Sequence, residues 1–136
     1  MIEQIVVSVP SQGLHSITGV ISERISRLFS GQDGLCTLFI QHTSASLLIQ
    51  ENYDDSARLD LEHWLNRLVP EHDPLYTHTL EGSDDMPAHI KASLTATSLS
   101  IPIISGRLAL GSWQGIYLWE HRHAASNRKI IMHIGN

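Results

Sequence analysis

Cysteine is nearly absent. Cys36 is the sole one in 136 residues, so no intramolecular disulfide can form and a thiolate zinc cluster within one chain is excluded. It lies in the apolar run Leu35-Cys36-Thr37-Leu38 and reads as a small buried hydrophobe. Positive charge is also scarce. Nine Lys and Arg against fourteen Asp and Glu give a formal net charge of -5, which disfavours wholesale binding to a nucleic-acid backbone. No apolar run approaches the ~20 residues of a membrane span. The start, Met1-Ile2-Glu3-Gln4, lacks the basic region and apolar core of a secretory signal. These absences predict a soluble cytoplasmic protein. Repeats, low-complexity tracts and linkers are missing too, and the length predicts a single domain over residues 1–136. At 42% hydrophobic and 17% charged residues the chain has the composition of a packed globular protein. What it has in excess is histidine: nine of them, the commonest metal ligand and the usual acid or base near neutral pH.

The pattern along the chain predicts mixed structure. Residues 2–9 are rich in β-branched side chains and read as a strand ended by Pro10, with a turn at Ser11-Gln12-Gly13. Apolar residues at Ile17, Val20, Ile21, Ile25, Leu28 and Phe29 make one helical face, with Gly31 placed for a C-cap. Strands follow at 34–42 and 45–50. Asp54 and Asp55 open a second helix whose apolar stripe is Ala57, Leu61, Trp64, Leu65 and Leu68. A polar loop over 71–85 leads to a short third helix, with Asp85 as its cap and Pro87 in its first turn. Strands then run over 98–104, 107–110, 114–120 and 129–134. Grouped rather than alternating elements predict an α+β fold: a two-layer antiparallel β-sandwich with about three helices.

Four segments carry candidate chemistry. Gln41-His42-Thr43-Ser44-Ala45-Ser46 presents His42 at a strand end. Glu81-Gly82-Ser83-Asp84-Asp85-Met86-Pro87-Ala88-His89-Ile90-Lys91 combines adjacent acids, a helix start, a histidine and a lysine. Helix N-termini favour anions, adjacent carboxylates suit a hard divalent cation, and His89 lies four residues after Asp85, on the same helix face. Gly111-Ser112-Trp113-Gln114-Gly115 reads as a strand with a buried indole; no Lys follows Gly115, so it is not a P-loop. Glu120-His121-Arg122-His123 places two histidines on one side of a strand, a weak zinc pattern for a hydrolase, with a solvated hairpin end as the plainer reading. Arg122 and Arg128 offer bidentate donors for phosphate. His15, His63, His72, His78 and His133 read as ordinary polar residues. No G-x-S-x-G elbow accompanies Ser44 or Ser46.

Taken together, His42-Thr43-Ser44-Ala45-Ser46-Leu47, Glu51-Asn52-Tyr53-Asp54, Asp84 to Lys91, and Gly106-Arg107 with Gly111 to Ile116 resemble the YjbQ family, also known as secondary thiamine-phosphate synthases. The resemblance covers nearly the whole chain; Ser112 stands where the family often has Thr. It implies the same α+β sandwich, a homotrimer, and a transferase joining a thiazole phosphate to a pyrimidine pyrophosphate. His42, Asp85 and His89 carry over as catalytic or metal-binding positions. With Asp84, they form the expected ligand set for a divalent ion, Mg or Zn. Lys91, Arg122, Arg128 and Ser44 are the expected contacts for a phosphorylated small molecule. A non-catalytic metal- or phosphometabolite-binding trimer stands as the alternative, with the zinc hydrolase behind it.

Overall fold

The computed structural model describes residues 1–136. The chain runs β1 (Ile2–Val9), β2 (Gly13–Ser16), α1 (Thr18–Leu28), β3 (Gly34–Ile40), β4 (Ala45–Glu51), α2 (Asp55–Leu68), α3 (Asp85–Leu94), β5 (Ser98–Ile104), β6 (Arg107–Leu108), β7 (Gln114–Glu120) and β8 (Ser126–Gly135). Two antiparallel sheets result, one ordered β1-β8-β3-β5-β6 and one ordered β2-β7-β4. The α+β sandwich with three helices is as the sequence predicts. Alternation is what places the strands: Ile130, Met132 and Ile134 of β8 point inward with Cys36, Leu38 and Ile40 of β3, and they meet Ile116 and Leu118 of β7 between the sheets. The α1 face of Ile21 and Ile25 closes the same core. Cys36 is fully buried, and burial pushes its thiol up to about 11, which leaves it an inert packing group.

β7 is the strand that organises the rest. Gly115 to Glu120 are all buried, because the outer face of β7 packs on a second, smaller cluster. There Tyr117 and Trp119 meet Leu14 of β2 and Leu65 and Val69 from α2 and its C-terminal end. The sequence predicts only a turn up to Gly13 and no β2; four residues carry too little alternation to announce a strand, and pairing with β7 creates it. The α2 stripe also differs from expectation. Leu65 is buried, but Trp64 and Leu68 are about half exposed, at 51% and 52%, because the buried stripe runs through Leu61, Leu65 and Val69 and leaves these two at its edge. Trp113 is a further correction. It is exposed in the turn before β7 and packs edge-on against Tyr53 at 4.6 Å rather than entering the core.

Candidate functional site

The loop that enters α3 builds the site. Gly82 takes a φ of +110°, and a Cβ there would sit 3.2 Å from Asp84 Oδ1. This left-handed turn favours glycine and brings two adjacent carboxylates to the helix start. The sequence predicts Asp85 as the helix cap; instead Asp84 holds the N-cap position without a capping side-chain bond, and Asp85 is the first helical residue, its carboxylate buried. Asp85 Oδ1 accepts from Arg122 at 2.6 Å. Its Oδ2 faces His78 Nε2 at 2.6 Å and His89 Nε2 at 3.4 Å. The two imidazoles meet edge-to-face, 5.2 Å apart. One ligand atom from each of His78, Asp85 and His89 lies within 4.8 Å of the others, which is the geometry of three protein ligands around one ion with open positions left over.

A second tier fixes these groups. The Arg122 guanidinium donates to Asp85 and to the Glu81 carbonyl at 2.8 Å. Its Nε lies 3.2 Å from Asp84 Oδ2 but out of line, and is buried without a hydrogen bond. Burial pushes the Asp84 carboxyl up, but the His123 amide, donating at 2.8 Å, and the Arg122 charge outweigh it and hold the group below its usual range. His123 also faces Glu71 at 2.7 Å, and this contact, followed by the bond from the Ser83 hydroxyl, holds the Glu71 carboxyl below its usual range.

The expected site residues therefore separate. Asp85 and His89 meet; His42 does not join them. The Lys129 amide donates to His42 Nε2 at 2.8 Å, which leaves that nitrogen unprotonated, and burial followed by the Arg128 charge lowers its pKa. His42 and His89 nevertheless line one shallow cavity of about 290 Å³ with Thr43, Ser93 and Thr97. Asp84 is turned toward Arg122 and His123 rather than toward the two imidazoles. Arg128 is buried, its Nε donating to Glu120 Oε1 at 2.7 Å and a terminal nitrogen to Oε2, so its charge is already neutralised. Ser44 contributes its carbonyl, which accepts from the His121 amide and from Arg128. Lys91 is buried against Asn66.

His121 and His123 do not share a strand face. β7 ends at Glu120, and the turn buries His121 on the Ser46 hydroxyl at 2.9 Å while His123 points to solvent. Burial, then Lys91 and Arg128, push His121 down to about 3. His78 is the member of this cluster that sequence reasoning missed. It lies in a polar loop with no local pattern, and its one signal is that it precedes Asp85 by seven residues in a segment that must fold back over the helix start.

Fold and cluster together define an α+β sandwich protein with a histidine–carboxylate centre at a helix start. The chain belongs to the family described as UPF0047 protein YjbQ-like, whose profile matches residues 3–136. It is 47% identical over 133 residues to the UPF0047 protein sll1880 of Synechocystis sp., covering 97% of this chain and 89% of that one. It is 46% identical over 127 residues to the UPF0047 protein YjbQ of Salmonella typhimurium, covering 93% and 91%. The solved structure of the conserved hypothetical protein TT1486 from Thermus thermophilus is similar over 98% of this chain and 99% of that chain, with a TM-score of 0.86 and 33% identity. A YjbQ/UPF0047 protein from Clostridium acetobutylicum gives a TM-score of 0.83 at 32% identity, covering 99% of each chain. No helix is long and apolar enough to cross a membrane.

Proposed function

We propose that the protein is a metal-dependent enzyme acting on a phosphorylated small molecule, with His78, Asp85 and His89 as the ligands of one divalent ion. The observation that carries the reading is the convergence of these three donor atoms within 4.8 Å. Two imidazoles favour zinc or a neighbouring transition metal over magnesium, which prefers oxygen ligands. Arg122 orients Asp85 by occupying Oδ1, so that Oδ2 is left to face the imidazoles. Such an ion supplies charge stabilisation to a phosphate or pyrophosphate oxygen. Within the family resemblance, this suits transfer of a pyrimidine group from its pyrophosphate to a thiazole phosphate. The cavity that His42 and His89 line provides the adjoining space for a substrate.

The reading includes assembly into the homotrimer. Leu75 and Leu80, exposed at 85% and 99%, flank His78 in the loop before α3, and such apolar side chains call for cover. Light scattering tests this: a trimer is expected, and a stable monomer at working concentration removes it.

Metal analysis after dialysis, followed by turnover with the thiazole phosphate and the pyrimidine pyrophosphate, tests the enzyme. One zinc per chain and turnover that is lost in His89→Ala are expected. Metal retained without turnover makes the protein a metal-binding module; no metal uptake by the wild type sinks the reading.

A further inference from the structure

Lys91 lies two residues beyond His89 on α3, yet its side chain enters a different cavity. This space, about 150 Å³, sits between α2 and the end of β7; Gln12, Glu62, Asn66, Lys91, Trp119 and His121 contribute to its walls. It shares no residue with the His42–His89 cavity or with the His78–Asp85–His89 cluster.

The ammonium is oddly placed. Lys91 is only 4% exposed. It takes part in none of the fold's ion pairs. Its one protein acceptor is Asn66 Oδ1, at 2.6 Å, which leaves two of three N–H donors without a protein partner. The acid charges that act on it, Glu71 and Asp84, do so only from beyond pairing distance, and a buried charge without a direct partner is disfavoured. The single acid in the wall does not supply one, since Glu62 Oε2 accepts from the Leu14 amide at 2.7 Å and from Arg58 at 3.2 Å. With its oxygen facing Lys91, the Asn66 amide has both N–H donors to offer as well. The space of about 150 Å³ is roomy enough for a tetrahedral oxyanion.

We propose that this cavity is a second ligand site, one that takes a phosphate-sized oxyanion on Lys91 and Asn66. The anion is a free inorganic oxyanion or the terminal phosphoryl group of a metabolite. The site stands apart from the metal reading and does not need it.

Calorimetric titration of metal-free protein with inorganic phosphate, and separately with methyl phosphate, tests the proposal. The wild type is expected to bind one anion per chain and to melt at a higher temperature with it. Lys91→Met is expected to weaken binding at least tenfold, while Asp85→Asn binds as the wild type does. Asn66→Asp sets a carboxylate against the ammonium; it is expected to abolish anion binding and to raise the melting temperature in phosphate-free buffer. Binding of both probes assigns a terminal phosphoryl group, and binding of phosphate alone assigns the free ion. Absence of binding by the wild type, unchanged affinity in Asn66→Asp, or loss in Asp85→Asn with retention in Lys91→Met overturns the proposal.

Discussion

Two networks of acid, histidine and arginine sit within a few residues of each other around Arg122, and they differ in saturation. In the one at the end of β7, Glu120 receives both edges of the Arg128 guanidinium and the Arg122 amide, and His121 is bonded to Ser46. Glu120 and His121 are 0% and 1% exposed. In the other, at the start of α3, Asp85 is equally buried, but the two histidines facing its free oxygen stand at the surface, with side chains 46% and 34% exposed. The residue types match. In the first network Glu120 and Arg128 spend their charges on each other, whereas the second holds surface donor atoms that an ion from outside can take. Unfilled capacity at an accessible place is what distinguishes a site from a buried structural network.

This contrast breaks most visibly at the buried end. Arg128→Met leaves Glu120 as an uncompensated buried charge and is expected to cost about 3–5 kcal/mol, read as a lower denaturant midpoint. Adding Glu120→Gln to it recovers part of the loss. His121 gives the next largest effect. Its folded pKa of about 3 lies below the ordinary 6.5, so above pH 6.5 both states are neutral and the group costs nothing. As pH falls from 6.5 toward 3 the unfolded chain takes a proton that the folded chain refuses. Stability is therefore lost across that window, by on the order of 4 kcal/mol. His121→Gln is expected to flatten the pH profile there; an unchanged profile would show that another group controls it.

At the open network the effects fall on binding. His78→Ala is expected to weaken zinc binding more than about 100-fold, and Arg122→Gln, whose arginine reaches the centre only through the far oxygen of Asp85, by about 10-fold. His42→Ala should leave zinc affinity unchanged by calorimetry, and a loss there would bring His42 back among the ligands. The smallest effect belongs to His123→Ala. Its pair with Glu71 is exposed and screened, and removing it is expected to cost about 0–1 kcal/mol, with the midpoint barely moved.

The sandwich was legible because alternation in β1, β3 and β8 and the Ile17–Phe29 face state directly which side is buried. β2 and the true position of Trp113 were not, since pairing with β7 creates the one and the turn that sets Trp113 against Tyr53 decides the other. In the candidate centre, Asp85 and His89 were legible from their spacing of four on one helix. His78 was not, because no periodicity governs a loop and only tertiary folding brings it back. The arginines misled in a different way. A guanidinium in a sequence looks available, but Arg122 and Arg128 each find a carboxylate far along the chain or across a turn, and a sequence does not show which charges have already been neutralised.

The order β1-β8-β3 has a consequence for how the protein comes into being. β8 pairs with β1 from Ile2↔His133 to Val9↔Ser126 and with β3 from Leu35↔Gly135 to Ile40↔Ile130. Two strands made early thus wait for one made last. Until residues 126–135 emerge, β1 has no neighbour in its sheet and β3 has only β5. Contacts this distant in sequence slow the search for the native state, and a half-assembled sheet has sticky edges. The nascent chain is expected to depend on chaperone protection late in synthesis, and slow refolding at high concentration is expected to lose material to aggregation before the last strand closes.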